Sequence, residues 1–132
     1  MAKVNGAQSV ETIPGRKIVL SAGVGKTNVE ELKWLTETVL DCAKAWRGTG
    51  WAYIADCSKM SPVGPSEGGE LVRMTKAFVD AGCEAFGFAE GSSVLLKIQA
   101  QKNTERSETG VIEGHFATVE EVLEWLKNEV HI

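Results

Sequence analysis

"IVLSAGVGKTNVEEL", residues 18–32, is the most informative segment of the chain, because an apolar run passes through a glycine-rich turn into a helical pattern. A phosphate-binding loop is spelled in a similar way, as Gly, four residues, then Gly-Lys-Ser/Thr. With Gly25 as the second glycine of such a loop, the first glycine would fall at position 20, which is Leu20. Gly23 and Gly25 also enclose only Val24, which is too short for the phosphate cradle. The segment therefore predicts a strand, a turn and a helix, and it argues against nucleotide binding.

The residues after this turn carry a helix start signal. Either Thr27 with Glu30 or Asn28 with Glu31 can form a capping box, in which side-chain oxygens accept the free backbone N–H groups of the first turn. Apolar residues then recur at steps of three and four through residue 46, which predicts an amphipathic helix. They are Leu32, Leu35, Val39, Cys42, Ala43 and Trp46.

The remaining chain alternates between strand and helix patterns. Apolar runs at 7–13 and 17–22 flank Pro14-Gly15 and predict a β-hairpin. Further strands are predicted at 51–57, 83–89 and 110–116, and further helices at 67–81, after 91–93 and at 119–130. The helix after 91–93 has its apolar residues at Val94, Leu95 and Ile98. The predicted fold class is α/β: one domain over residues 1–132, with a mixed, mostly parallel sheet of about five strands, an N-terminal β-hairpin and four helices.

Composition and charge exclude several classes of function. The chain has 132 residues and a net charge of −4, and its basic residues are scattered among acids. Nucleic-acid binding needs a basic stripe, so we expect no nucleic-acid partner. No apolar stretch approaches the roughly 20 residues that span a bilayer, so we expect no membrane insertion. Cys42, Cys57 and Cys83 form no CxxC pair and lie far from His115 and His131, which predicts free thiols, a cytoplasmic location and no metal or cofactor.

Three segments carry a resemblance to a known family. They are "YIADCSKMSPV" (53–63), "AFVDAGCEAFGFA" (77–89) and "HFATVEEVLEWL" (115–126). Together with the order of strands and helices, they resemble the STAS-like domains, and most closely the branch related to the sporulation anti-sigma factor antagonists. The resemblance implies a non-enzymatic regulatory module that docks a protein partner, often under the control of serine phosphorylation.

Ser66 is the candidate phosphoacceptor that this resemblance implies. In the antagonists the modified serine follows an Asp in an Asp-Ser-x-Gly turn at the start of the second helix. The corresponding segment here is "SPVGPSEGGEL" (61–71), in which Pro65 precedes Ser66 and no Asp is adjacent. The other interpretation of Ser66 is the N-cap of the second helix, and we favour it.

A second hypothesis is a carrier or sensor for a small apolar ligand. Asp56, Ser61 and Ser92 follow predicted strands, and α/β sheets bind ligands at the carboxyl ends of their strands. Asp56 can alternatively accept hydrogen bonds from the turn formed by the next residues. A cavity lined by aromatic residues would favour the ligand hypothesis, whereas a tightly packed core would favour protein docking. The aromatic residues expected near such a cavity are Trp51, Phe78 and Phe88.

Trp34 is the candidate contact for a protein partner. Helical geometry places it opposite the core stripe of the first helix, on the side of Thr38. Exposed aromatic side chains often anchor interfaces, so Trp34 could contact a protein partner or a second copy in a homodimer. Packing of the indole over its own helix or a neighbouring loop is the alternative.

An enzymatic function would need a reactive group and a base in one cleft. His115 or Cys57 would have to meet Asp56 within the reach of a hydrogen bond or one water. A lone histidine on a strand is more often a surface residue or a satisfied core residue. We therefore expect no catalytic residues.

Overall fold

The computed structural model describes residues 2–132, which form six strands and four α-helices. The strands are β1 (Lys3–Asn5), β2 (Gln8–Thr12), β3 (Ile18–Gly25), β4 (Trp51–Met60), β5 (Cys83–Ala89) and β6 (Ile112–Phe116). The helices are α1 (Val29–Ala43), α2 (Pro65–Asp80), α3 (Val94–Ser107) and α4 (Val119–Trp125). A 3₁₀ turn, Lys44–Trp46, extends α1, and a π-helical turn, Leu126–Val130, extends α4. None of the helices in this range combines the length and apolarity that a membrane span requires.

The strands lie side by side in the order in which they occur along the chain. β1, β2 and β3 pair antiparallel, and β3 to β6 pair parallel. Because the parallel part advances in one direction, right-handed connections put α1, α2 and α3 on the same face of the sheet. α4 follows the last strand and packs against β4, β5 and β6. The α/β class and the mixed sheet are confirmed, with six strands where the sequence indicated about five.

Alternation along the strands divides the interior into two cores. On the α1–α3 face the strands contribute mainly large side chains, and on the α4 face mainly smaller ones. The first core contains Val10, Val19, Tyr53, Phe86 and Phe88, packed against Leu32, Leu35, Val39, Met74 and Phe78. The second contains Ile18, Ala52, Ile54, Ala85 and Ala89, packed against Val122 and Leu126.

The glycine-rich segment belongs to β3. Gly23 pairs with Gln8 of β2, and Gly25 pairs with Met60 of β4. Val24 donates its N–H to the carbonyl of Ala7 at 3.0 Å. A phosphate cradle needs several backbone N–H groups pointing at one anion, whereas these residues take part in the sheet. The predicted strand and helix are present, but the predicted turn at 23–25 is wrong, because these residues extend β3 three residues beyond its predicted end at 22.

Asn28 is the residue that caps α1. Its side chain accepts the N–H of Glu31 at 2.9 Å, as one of the two predicted capping boxes requires. The carboxylate of Glu31 bonds instead to the N–H of Ala7 at 3.2 Å and to the hydroxyl of Thr27 at 2.9 Å. The second half of the capping box is therefore absent, and the Glu31 carboxylate instead links α1 to the β1–β2 turn through the N–H of Ala7.

The structure differs from the prediction at β1, β4 and the start of α2. β1 was not predicted, because its three residues are all exposed and carry no burial pattern. β4 runs three residues beyond the predicted end at residue 57. α2 begins at Pro65, and its N-cap is Gly64, whose N–H donates to the carboxylate of Glu67 at 3.1 Å. The N-cap role favoured for Ser66 is wrong, since Ser66 is an exposed residue of the first helical turn.

The exposed and buried sides of α3 are the reverse of those that its sequence suggests. Val94, Leu95 and Ile98 are exposed, to 70%, 52% and 42%. Its buried side chains are Leu96, Asn103, Thr104 and Ser107. α3 packs mainly on α2, so its inward side meets a helix rather than the apolar sheet. The helix therefore turns polar groups towards the interior and leaves an apolar stripe outside.

Candidate functional site

A cavity of about 90 Å³ lies between the sheet and helices α1, α2 and α3. Its floor is aromatic, formed by Tyr53 of β4 with Phe86 and Phe88 of β5. Apolar side chains from the three helices form its walls; they are Leu32, Leu35, Leu71, Met74, Leu96 and Ala100. Trp51 and Phe78 are fully buried in the core and do not line it. Of the three aromatic residues predicted to line a cavity, only Phe88 does.

The opening of the cavity lies at the carboxyl end of β4. Met60, Ser61 and Val63 line it there, and Ser61 is exposed. Ser61 is held to β3 by its N–H, which donates to the carbonyl of Gly25 at 2.9 Å. Gln99 of α3 bonds both backbone groups of Val63, at 3.1 Å to its N–H and 3.0 Å to its carbonyl. These bonds fix the segment between β4 and α2 against α3, next to the opening.

Most polar groups in the wall are satisfied within the protein. Ser21 and Tyr53 share a hydrogen bond between their hydroxyls, and both residues are buried. Thr75 and Thr104 donate to backbone carbonyls of their own helices, at 2.9 and 3.0 Å. Asn103 is different: it is 8% exposed and lines the cavity, and its amide makes no hydrogen bond to another residue in 2–132.

Asp56 contributes to the rim, but its side chain belongs to the other face of the sheet. It pairs with Ala89, and alternation places it with Ile54 on the α4 side, whereas Ala55 packs on the cavity side. Its Oδ1 accepts the N–H of Ser58 at 3.2 Å and the hydroxyl of Ser58 at 2.7 Å. Asp56 thus accepts hydrogen bonds from a residue that follows it, as its structural alternative proposed, but it does so within β4, where the sequence predicted a turn.

A second cluster lies where β5 and β6 end. The His115 side chain is 9% exposed; its Nδ1 lies 2.9 Å from Oε2 of Glu90, and its Nε2 lies 3.0 Å from Oε2 of Glu113. Glu90 is buried, and the imidazole stacks on Phe88 with ring centroids 5.0 Å apart. Burial alone would lower the pKa of His115, but the hydrogen bonds and charges of Glu90 and Glu113 together outweigh it and raise the pKa. Both ring nitrogens of His115 thus have partners in the protein, and the residue is half-buried and belongs to neither core.

An open cleft of about 330 Å³ adjoins this cluster. It is lined by Ser92 and Lys97 as well as by Glu90 and His115. The predicted ligand residue Ser92 therefore lies in this cleft and not with Ser61 at the cavity. Ser93, the next residue, caps α3 by accepting the N–H of Leu96 at 3.2 Å.

The groups that an enzymatic function would require have other partners. The thiol of Cys57 donates to the carbonyl of Ala89, and burial, with smaller contributions from Glu90 and Asp56, raises its pKa to about 12. Both ring nitrogens of His115 are engaged by glutamates on opposite sides of the imidazole. Within residues 2–132 no three His, Cys, Asp or Glu side chains are arranged to hold a metal ion.

Trp34 and Ser66, the residues proposed for partner contact, lie on the helical layer. Trp34 is half-buried and packs against the first core, and Thr38 beside it is buried. α1 contacts α2 as well as β2 and β3, so its buried side is wider than the predicted stripe. Ser66 is exposed near the start of α2. Their roles in recognition stay predictions.

Comparison with known proteins does not assign the chain to a family: no protein-family model and no curated protein matches it. Sequence patterns indicated Phe88 and Ser61 but missed Asn103, Gln99 and Glu90. Asn103 lies in the polar second half of α3, where a sequence pattern indicates solvent exposure, and Gln99 is a single polar residue that follows the apolar residues of the first half.

Proposed function

We propose that the protein is a binding module without chemistry of its own, and that it takes up a small, mainly apolar molecule or group in the cavity. The observation that carries this proposal is the cavity itself, which has an aromatic floor, apolar helical walls and an opening at the carboxyl end of β4. Protein interiors are packed densely, and a dry void loses contacts on every side. A ligand that fills the space would restore those contacts.

The size of the cavity limits what it can enclose. An engineered cavity of about 150 Å³ holds benzene or xenon, so a space of about 90 Å³ suits a smaller group or the end of a longer molecule. The opening beside Ser61 would let the rest of such a molecule extend outward. This is the carrier or sensor hypothesis, with the cavity in place of a site centred on Asp56.

Xenon is a suitable first probe, because it has no hydrogen-bonding groups and reports only on accessible apolar space. Under xenon pressure we expect the amide NMR signals of cavity-lining residues such as Leu35, Phe86 and Ala100 to shift in a saturable way. Ala100→Leu should fill the space and abolish the shifts, whereas Ala45→Leu, at an exposed alanine, should leave them unchanged. Shifts that persist in Ala100→Leu, or that never appear in the wild type, would contradict the proposal.

A STAS-like module that docks a protein is the second candidate function. The three segments at 53–63, 77–89 and 115–126 and the α/β layout support it, and the apolar stripe of Val94, Leu95 and Ile98 offers a surface.

A second copy of the chain is the simplest partner to test. Light scattering of a homodimer would give twice the chain mass of 14.2 kDa. Leu95→Asp should then return a monomer, and Val4→Asp, at a more exposed position on β1, should not. A wild-type chain that is monomeric at every concentration would exclude the homodimer.

A further inference from the structure

Asn103 is the polar side chain of the cavity wall that makes no hydrogen bond within residues 2–132. The residue lies on α3, facing α2: its Oδ1 is 3.6 Å from the position that a Cβ on Gly68 would occupy. Every fully inaccessible polar side-chain atom in residues 2–132 has a partner. The unpaired amide of Asn103 must therefore keep some accessible surface, and the residue lines the cavity. A buried amide without a partner is costly, so a molecule that pairs with it is favoured over one that cannot.

No charged group faces the cavity to balance an ionised ligand. The lining includes three ionisable residues, Tyr53, Asp56 and Cys57. The Asp56 carboxylate lies on the α4 side and is bonded to Ser58. Burial raises the pKa of both the Cys57 thiol and the Tyr53 hydroxyl, which are neutral at neutral pH. An ionised ligand would lose its hydration without gaining a counter-charge.

We propose that the cavity selects small uncharged molecules, or the uncharged end of a larger one, that carry an amide or hydroxyl group bound by the Asn103 side chain. The proposal rests on the ligand-binding function proposed above and adds the chemical class of the ligand. An amide side chain offers two donors and an acceptor, so a carboxamide can donate to it and accept from it at once. The apolar part of the ligand would lie over Tyr53, Phe86 and Phe88.

Propionamide and propionate form the matched pair of probes, because they share a shape and differ in charge. Titration followed by ¹H–¹⁵N NMR should give cavity-specific shifts with propionamide and a dissociation constant at least about tenfold higher for propionate. The Asn103 side-chain NH₂ signal should itself move with propionamide, a measurement that needs no variant. Asn103→Leu should weaken propionamide binding by about tenfold, while Asn128→Leu, at an exposed asparagine, should not.

The xenon experiment separates failure of this proposal from failure of the cavity function. If xenon binds but propionamide and propionate bind equally, or if Asn103→Leu binds propionamide as well as the wild type does, the assignment of Asn103 is wrong and the cavity function stands. If neither xenon nor propionamide binds the wild type, both proposals are overturned. An unmoved Asn103 side-chain signal at saturating propionamide would also contradict the contact.

Discussion

Gly87→Ala is expected to destabilise the protein by a clash with α4. Gly87 lies in the centre of β5, and a Cβ placed on it would overlap Cγ1 of Val122 and approach Cζ3 of Trp125 to 3.6 Å. Carbon atoms normally pack about 3.5–4.0 Å apart, so α4 or β5 would have to move. Gly87 has no positive φ, so its backbone suits alanine and the cost is steric. Overpacking of this kind costs roughly 1–3 kcal/mol.

The double-mutant cycle with Val122→Ala tests the cause. Val122→Ala alone removes two buried methyl groups and should cost about 1.5–3 kcal/mol. In the double variant the new methyl on residue 87 occupies space that Val122 vacates, so the two losses should not add, with a coupling of about 1–3 kcal/mol.

Urea denaturation followed by tryptophan fluorescence measures each free energy of unfolding. Gly69→Ala is the matched control: its nearest neighbour would be Arg73 at 3.9 Å, and an alanine in that helix should stabilise by roughly 0.5–1 kcal/mol. A Gly87→Ala variant as stable as the wild type, or strictly additive losses in the double variant, would refute the close packing of α4 on β5.

Three further predictions concern the cavity and the His115 cluster. Ser21→Ala or Tyr53→Phe alone should each cost about 1–3 kcal/mol in urea denaturation, because one buried hydroxyl loses its partner, and the double variant should cost less than the sum. Asn103→Leu should raise the free energy of unfolding by about 1 kcal/mol, since an unpaired amide is removed, and a loss of stability would contradict this prediction. Because the pKa of His115 is raised by its glutamate partners, the stability that it contributes is present below pH about 6.5 and is lost as the pH rises through the folded-state pKa. His115→Gln should therefore cost more at pH 6 than at pH 9, and an equal cost at both pH values would contradict this linkage.

Local patterns in the sequence predicted most of the fold. Alternation of strand and helix patterns, together with the Pro14-Gly15 turn, predicted the hairpin and the order of the later elements. These signals succeed because burial of one strand face or one helical stripe requires apolar residues at regular spacing in the sequence. β1 has no such pattern, because its exposed residues add to the edge of the sheet by backbone pairing alone.

The candidate site could be predicted only in part, because it depends on how separate elements meet. The segment around Asn103 has the composition of an exposed helix surface, and only the packing of α3 on α2 buries it. The side chain of Asp56 was expected at a ligand site, but one step of strand alternation turns it to the opposite face. The contact between His115 and Glu90 joins residues 25 positions apart, and no spacing rule connects them.

The two faces of the sheet explain why the cavity lies where it does. On the α4 side, glycines at positions 87 and 114 let Val122 and Trp125 approach the strands closely, and small side chains complete the contact. On the other side the strands carry the large aromatic rings of Tyr53, Phe86 and Phe88. α1 and α2 cover these rings, but α3 rests mainly on α2. Space is therefore left beneath α3 at the carboxyl ends of β4 and β5, where the polar inward side of α3 supplies Asn103.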